Sequence, residues 1–485
     1  MEGFCFINTD KNINNLQEVT MKRSLWHMSL LATLLGLTST ASHAKVNYDL
    51  KNTQQAATIA KYNISNTLLD IMHKVSTAKK AELTRGDVLT ALIENQLLGQ
   101  YALKRFGESK LVENNKVSFL PSVVAEQEFR AVIQVAFDKE LAEARKKLGG
   151  NLDKMISQEQ AIKANEWDSF LPSKQVLQLN IQLDDAGQKA AQKRVLLQYQ
   201  FDDTHKGAVT LWDVYQRQNV QGRNEINSRK SDFTQGQARE IVVHRFIDYW
   251  VETQSNLSKQ DIADIQQAIL NKSYHDGFVS MIGIAADIHD DVQYLKDLAK
   301  KVTPAEVKAY YQKHKDEFKR IVRVKAQHIA LADEKTANMV AEQLKKGGNF
   351  SELAKQYSTA SDKDKGGDLG WIAHEPKNPI WLNSLAFIQP INTPSRPIRT
   401  PTAQWEILLV TQKEEGYQAV DSESVRYLAS QVIARQKMIK EYQTIRKTLI
   451  NQTDIHISPI LKKEMINLEK DVMIAKPSEE DHHHH

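Results

Sequence analysis

The sequence predicts an α+β protein of several domains, in which both ends of the chain form a mainly helical body and a smaller α+β domain is inserted between them. Three observations support this prediction. The chain has 485 residues, which is too long for one ordinary hydrophobic core. Apolar residues recur with helical spacing in the N-terminal half and again near the C-terminus. Residues 322–413 instead follow the order strand, helix, helix, loop, helix, strand.

The composition is that of a soluble globular protein, with 41% hydrophobic and 26% charged residues. The 64 basic and 60 acidic residues leave a net charge of +4, so we predict no nucleic acid among the partners. The only long apolar run, residues 30–37, is far shorter than the roughly 20 residues that cross a bilayer. The mature chain is therefore predicted to have no integral membrane span.

Residues 1–44 are predicted to be a leader followed by a signal peptide at residues 21–44. Basic residues open this signal, an apolar centre follows at residues 30–37, and Ser42-His43-Ala44 forms a small-x-Ala cleavage site. The alternative interpretation is an amphipathic N-terminal helix. The only cysteine, Cys5, precedes the signal, so a mature chain would form no disulfide. We therefore predict a periplasmic protein that is held together by packing alone.

Residues 45–301 are predicted to form the mainly helical domain. Thr84 and Asp87 have capping-box spacing, and the apolar stripe that follows them runs to a stop at Gly107. Further helices are predicted over residues 129–148 and 238–253. Between them, residues 177–183 and 195–201 alternate with period two, which predicts a short hairpin.

A connecting helix is predicted over residues 302–321, because Thr303-Pro304-Ala305-Glu306 is a strong helix start. After the inserted domain, residues 414–460 contain a long helix from about 422 to 450 that is apolar on one side. Each large apolar side chain left in water would forfeit roughly 1.5 to 3 kcal/mol, so this helix is expected to pack on the N-terminal body. Residues 461–485 form a tail whose final histidines, His482 to His485, are a metal-chelating tract, a trimmed purification tag or a flexible end.

Three motifs lie in order within the inserted segment: Ala-Gln-His-Ile at residues 326–329, Phe-Ser-Glu-Leu-Ala-Lys-Gln-Tyr-Ser at 350–358, and Gly-Gly-Asp-Leu-Gly-Trp at 366–371. Together they resemble the parvulin-type peptidyl-prolyl isomerases. The overall layout resembles the exported foldase chaperones of the SurA and PrsA kind. This resemblance implies a parvulin-like isomerase domain at residues 322–413 inserted into a chaperone-like helical body. Over residues 45–300 it is a resemblance of layout only.

The resemblance implies a periplasmic peptidyl-prolyl cis-trans isomerase and chaperone that assists the folding of exported or outer-membrane proteins. Its partners would be unfolded or nascent exported polypeptides. Rotation about an X-Pro bond crosses a barrier of about 18 to 20 kcal/mol but breaks no covalent bond, so no nucleophile, metal or cofactor is expected. The alternative is a catalytically inactive parvulin-fold chaperone that only binds unfolded clients. The sequence leaves client identity and oligomeric state open.

The family pattern has two catalytic histidines. The resemblance implies that His328 is the first, and Glu406 lies where the second is usual. The two share strand parity, so we expect them to face each other and Glu406 to raise the pKa of His328. The family's Cys or Asp position falls on Ala360. Ser361 or Asp362 would replace it only if the loop were shortened elsewhere.

The resemblance also implies an apolar shelf for the proline ring. Trp381 or Leu382 lies where the shelf aromatic is expected, and Phe387 matches the aromatic that follows. Trp381 and Phe387 are alternatively plain core residues. The usual Met or Leu of the shelf is replaced by Lys377. The departures from the family pattern favour the inactive alternative; they are Ala360, Lys377 and Glu406.

Overall fold

The computed structural model describes residues 46–112, 121–171, 182–284, 291–373, 380–464 and 468. The predicted leader and signal peptide at residues 1–44 lie outside the described residues, as do Lys377, residues 177–181 of the predicted hairpin and the histidines of the tail. Within the described part of the chain, no helix is both long enough and apolar enough to cross a membrane.

The N-terminal body is mainly helical, as predicted, and carries six short strands among its described residues. The strands are β1 (Val46–Asn47), β2 (Gln55–Ile59), β3 (Tyr62–Ser65), β4 (Ile156–Glu159), β5 (Val195–Gln200) and β6 (Lys206–Thr210). The helices are α1 (Asn66–Lys79), α2 (Arg85–Phe106), α3 (Glu108–Val112), α4 (Pro121–Ala136), α5 (Asp138–Lys147), α6 (Asp185–Lys193), α7 (Leu211–Gln216), α8 (Val220–Asn227), α9 (Ser231–Thr253), α10 (Lys259–Ile282) and α11 (Gln293–Lys300).

Local signals account for the ends of several helices. Thr84 and Asp87 form the expected capping box at the start of α2, and Gly107 ends that helix. The helix predicted over residues 129–148 is instead divided between α4 and α5. Phe137 leaves helical geometry there, with φ −126° and ψ 35°, and its ring lies 5.2 Å from that of Trp250. The helical block is therefore present but interrupted at one residue, Phe137, where this aromatic contact is made.

The predicted hairpin is only partly correct. Residues 195–200 form strand β5, but its partners are β4 on one side and β6 on the other, both antiparallel. Leu183 lies in irregular chain just ahead of α6. The Asp184 side chain accepts a hydrogen bond from the Gly187 amide at 2.7 Å and so starts a helix between the two predicted strands.

The small domain follows the predicted order. Helix α12 (Pro304–Lys313) leads into it through a capping box between Thr303 and Glu306. The remaining elements are β7 (Lys319–Leu331), α13 (Glu334–Lys345), α14 (Phe350–Tyr357), β8 (Asp368–Ala373), α15 (Trp381–Ile388), β9 (Ile398–Arg399) and β10 (Trp405–Tyr417). They form one antiparallel sheet in the order β8-β7-β10-β9.

The two faces of this sheet are covered by different helices. Ile329, Leu331 and Ile407 pack against α13 and α14. The even-numbered residues Val324 and Leu408 lie on the other face of the sheet and pack against α15. Since side chains alternate across a strand, every even-numbered residue of the central part of β7 and β10 is directed to the α15 side.

The C-terminal part of the chain returns to the body. Helix α16 (Glu423–Asn451) buries Tyr442 and Ile445 with Phe278 of α10 in one apolar cluster. Strand β11 (Ile455–Ile457) then pairs with β1 and β2, so its sheet has the order β1-β11-β2-β3. These contacts confirm the predicted fold class, a helical body built from both ends with an inserted α+β domain. The domain boundaries themselves stay predictions.

Candidate active site

The site starts from two diagonal neighbours on the central strands of the small domain. In the β7–β10 register, Leu408 lies opposite His328, and Glu406 lies two residues before Leu408 on β10. Opposite and diagonal residues of the same parity direct their side chains to one face. His328 and Glu406 therefore share the sheet face that carries α15, and the facing pair expected from strand parity is present.

Both ring nitrogens of His328 lie against carboxylates. Nδ1 is 2.9 Å from Oε2 of Glu406, and Nε2 is 3.0 Å and 3.2 Å from the two carboxylate oxygens of Asp362. Ionised carboxylates only accept hydrogen bonds, so His328 satisfies both as an imidazolium that donates from each nitrogen.

The electrostatic balance agrees with this protonation state. Burial alone would lower the pKa of His328, but the hydrogen bonds and charges of Glu406 and Asp362 outweigh burial and raise it. His328 and Glu406 are each 8% exposed. The Asp362 side chain is 23% exposed. Asp362 is thus the member of the cluster that reaches the protein surface.

The loop from residue 358 to 367 places Asp362 over His328. The amide of Ala330, two residues after His328, donates to the buried Ser358 hydroxyl at 3.1 Å, and the Thr359 amide donates to the Ala330 carbonyl at 2.8 Å. At the other end, the Gly367 carbonyl accepts from the His328 amide at 2.8 Å. The loop is therefore fastened to β7 on both sides of the histidine.

Gly367 explains why a Gly-Gly pair closes this loop. Its φ is +70°, in the left-handed region, and an added Cβ would lie 1.9 Å from the His328 carbonyl oxygen. Its amide also donates to the Asp362 carbonyl at 3.2 Å. A side chain at this position would displace the strand that carries the histidine.

The carboxylate beside His328 belongs to Asp362, one of the two alternatives to Ala360 that the sequence offered for the loop position. A single 3-10 turn over Lys363–Lys365 accounts for this, because its Lys365 amide donates to the Asp362 carbonyl at 2.9 Å and folds Asp362 back over the strand. Ser361 is exposed.

The predicted shelf residues lie on α15, over the same sheet face. Leu382 and Phe387 are half-buried and pack against a cluster that includes Ala326 and Leu408. Trp381 is the first residue of α15 and is also half-buried. These side chains belong partly to the core of the domain and partly to its surface, so the two sequence interpretations are not exclusive.

The arrangement offers an apolar wall beside a carboxylate that is held by a buried cation. With His328 charged, the His328, Glu406 and Asp362 cluster carries a net charge of −1. Within the described residues, no group of three or more His, Cys, Asp or Glu side chains is arranged to hold a metal ion.

Comparison with known proteins finds a family match over the segment that contains the His328 cluster. Residues 302–425 match the family model described as the PPIC-type PPIASE domain. The chain is 32% identical over 167 residues to the foldase protein PrsA of Bacillus subtilis. These aligned residues are 34% of this chain and 54% of PrsA. It therefore spans about half the length of that relative.

Two further relatives match over shorter shares of their length. The periplasmic chaperone PpiD of Haemophilus ducreyi is 33% identical over 163 residues, which is 32% of this chain and 25% of PpiD. The chaperone SurA of Methylobacillus flagellatus is 34% identical over 113 residues, which is 23% of this chain and 25% of SurA. Residues 302–425 of the chain thus belong to the PPIC-type, or parvulin, family of peptidyl-prolyl isomerase domains.

Proposed function

We propose that the chain is a periplasmic peptidyl-prolyl cis-trans isomerase and chaperone that assists the folding of exported or outer-membrane polypeptides. One observation carries the isomerase part. In a domain of the PPIC-type family, His328 is held at both ring nitrogens by Glu406 and Asp362, on the sheet face that carries the apolar helix α15. The signal-like segment at residues 21–44 and the relative named periplasmic chaperone support the location.

The reaction requires only that the X-Pro amide be twisted. In its planar form the amide carries negative charge on its oxygen, and this charge decreases as resonance is lost in the twisted state. A carboxylate close to that oxygen raises the free energy of the planar form relative to the twisted form, and the barrier falls. Asp362, at the surface of the cluster, is the group suited to this role.

The remaining residues have supporting roles in the proposal. Leu382 and Phe387, with Trp381, would bind the proline ring through apolar contact. His328 and Glu406 would act as positioning residues, because they are buried and fix the carboxylate of Asp362 by charge-assisted hydrogen bonds.

The chaperone part is supported by a groove on the helical body. A cavity of about 720 Å³ lies between α4, α9, α10 and the β5–β6 hairpin. Its wall includes a chain of ring contacts from Tyr199 through Phe201 and Tyr249 to His205, with centroids 4.9 to 5.2 Å apart. A groove with aromatic side chains on its wall, beside charged ones such as Arg130 and Asp248, fits segments of unfolded chains. The relatives named foldase and chaperone agree with this role.

The test is isomerisation of a proline-containing tetrapeptide by the full chain, together with a proline-limited refolding assay. We expect Asp362→Asn to lower kcat/KM at least about tenfold, or about 1.4 kcal/mol, because it removes the carboxylate charge that raises the free energy of the planar amide. Asp364→Asn is the matched control, because Asp364 is an exposed residue of the same turn. It should leave kcat/KM unchanged.

The inactive chaperone is a second candidate, which Glu406 at the family's histidine position and Ala360 at its Cys or Asp position favour. The same preparation separates the two. If the full chain suppresses aggregation of an unfolded protein but accelerates neither the tetrapeptide nor the refolding reaction at any concentration, catalysis is contradicted and the second candidate stands.

A further inference from the structure

A second cavity of the helical body is rich in neutral carboxamide side chains. It has a volume of about 600 Å³ and lies between α4, the α7–α8 connection, α8 and α9. Six of its fourteen lining residues are asparagine or glutamine, namely Gln127, Gln218, Asn219, Gln221, Asn224 and Gln237. Val123 and Ile241, which are buried, and Phe233, which is half-buried, form its apolar part. We call it the amide cavity.

A hydrogen-bond relay fixes the orientation of two of these carboxamides. Gln218 Nε2 donates to Gln237 Oε1 at 2.8 Å, and Gln237 Nε2 donates to Glu240 Oε2 at 3.1 Å. Gln218 is 7% exposed, and a Cβ on Gly222 would lie 2.3 Å from its Oε1, so the glycine leaves the space that this side chain occupies. Among the described residues, no donor reaches Gln218 Oε1. The relay therefore leaves an acceptor on the cavity wall.

The other carboxamides of the amide cavity offer further donors and acceptors. Asn219 Oδ1 accepts from the Gly222 amide at 2.8 Å, which leaves the Asn219 Nδ2 free to donate. In the part of the chain that the structure describes, the side chains of Gln127, Gln221 and Asn224 make no hydrogen bond with the protein. Each of them can donate and accept at the same time.

The titratable residues of the amide cavity do not favour an ion as its ligand. Arg217 and Glu225 each form an ion pair with a residue outside the cavity, at 2.8 Å and 2.6 Å. Glu240 is exposed and already accepts from the relay. Burial lowers the pKa of His244, so its ring is neutral at pH 7. The carboxamides therefore set the chemistry, and they match a neutral ligand with both donors and acceptors.

The amide cavity adjoins the aromatic groove, the client groove of the proposed function whose wall includes Phe201. Both are lined by α4 and α9. On α9 the lining residues of the cavity lie within 233–244, and those of the groove lie within 245–252. The ion pair between Arg217 of the cavity and Glu126 of the groove joins the two walls. The two surfaces are thus consecutive along one helix.

We propose that the amide cavity binds the main chain of an unfolded client, next to the segment whose side chains occupy the aromatic groove. An extended polypeptide presents N–H and C=O groups in alternation, and carboxamides pair with both. Main-chain hydrogen bonds give affinity that does not depend on the side chains. The inference rests on the proposed chaperone function and specifies how one body accepts clients of unrelated sequence.

The experiment measures binding of labelled peptides to the full chain by fluorescence anisotropy. The first peptide has a Phe-Leu anchor for the aromatic groove and Gly-Ser repeats on both sides of it. The second has sarcosine, which is N-methylated glycine, at every glycine position, so it loses main-chain donors and keeps all its side chains. Chitotriose is the third probe, because a neutral saccharide also carries donors and acceptors.

For the unmodified protein we expect about a tenfold preference for the glycine peptide over the sarcosine peptide, the effect of one or two hydrogen bonds. Gln237→Leu interrupts the relay and should remove this preference. Gln235→Leu is the matched control, because Gln235 is also half-buried on α9 and donates to the Glu159 carboxylate at 2.9 Å, outside the cavity. It should keep the preference. Gln221→Leu, at an exposed position of the cavity, should reduce the preference and replaces Gln237→Leu if that variant does not fold.

The failures can be told apart. Equal affinity for the two peptides would overturn the inference, and so would a preference that persists in both cavity variants. In either case, suppression of aggregation by the full chain would leave the proposed function standing. If chitotriose binds more tightly than the glycine peptide and Gln237→Leu removes that binding, the cavity is a saccharide site and the inference is overturned. Absence of binding by both peptides, together with no suppression of aggregation, would contradict the proposed chaperone function and the inference with it.

Discussion

Two histidines in this molecule, one buried and one half-buried, have pKa values that are shifted in opposite directions. His328 in the small domain lies between two carboxylates, which raise its pKa against the effect of burial. His275 on α10 lies between the Asn95 amide oxygen and the Tyr442 hydroxyl, at 2.8 Å and 2.9 Å. Burial lowers the pKa of His275 to about 4, because neither partner brings a charge.

The comparison separates a candidate site from a structural contact. The His275 contacts join α2, α10 and α16, and the neighbouring ion pair of Arg446 with Glu94 joins α16 to α2. The His328 cluster joins no domains and reaches the surface at Asp362. His328 is buried and His275 is half-buried, so the charges of the partners, and not the extent of burial, favour the charged form of His328.

The largest effect is expected where α16 joins the body. Arg446 is 2% exposed, and its Nε donates to Glu94 at 2.9 Å. Arg446→Ala leaves Glu94 partly buried without this partner, which should lower the free energy of unfolding by about 3 to 5 kcal/mol. Urea unfolding followed by circular dichroism checks this. Lys440→Ala, at an exposed position of the same helix, should change it by less than about 0.5 kcal/mol. Equal effects would contradict the role given to the ion pair.

A smaller effect is expected from acid on the neutral histidine. The pKa of His275 is about 4 in the folded protein, against roughly 6.5 in the unfolded chain, so the unfolded chain binds more protons between these values. Stability should therefore fall as pH decreases through this range, by about 2 kcal/mol from pH 7.5 to pH 5. His275→Gln keeps a neutral polar group and should lose this part of the pH dependence. Identical slopes for the variant and the parent protein would contradict the assignment.

Periodicity predicted one half of the site and missed the other. His328 and Glu406 could be paired from the sequence because a period of two fixes the face of each strand, and the strands that open and close the domain are neighbours. Asp362 could be named only as an alternative, since its place depends on the turn at residues 363–365 and on the hydrogen bonds that Ser358 and Gly367 accept from β7. Motif spacing indicated Ala360 instead.

In the helical body, too, the sequence predicted local features but not contacts between distant segments. Capping residues predicted both ends of α2 and the start of α12, because such signals are local. The break at Phe137 coincides with a contact to a distant ring, that of Trp250, and the apolar spacing continues across it. His275 likewise carries no signal in the sequence, because its partners come from α2 and α16.

The smallest effect tests the charged histidine directly, through Glu406→Gln. Glutamine keeps the size and one acceptor of Glu406 but removes its charge, so the pKa of His328 should fall and the imidazolium should be lost at a lower pH. If the charged ring holds Asp362 in place, kcat/KM for a proline tetrapeptide should fall about tenfold at pH 7.5, or about 1.4 kcal/mol. Much of the loss should be recovered at pH 6.

The pH profile distinguishes this role from a structural one. A variant that only damages packing would lose activity by the same factor at every pH, whereas the charge argument requires the alkaline limb of the profile to move to lower pH. Glu415→Gln, at an exposed position of the same strand, should leave the profile unchanged. A uniform loss in Glu406→Gln would mean that the two carboxylates fasten the loop without setting the charge of His328. His328 and His275 would then differ in their hydrogen-bond partners but not in their protonation.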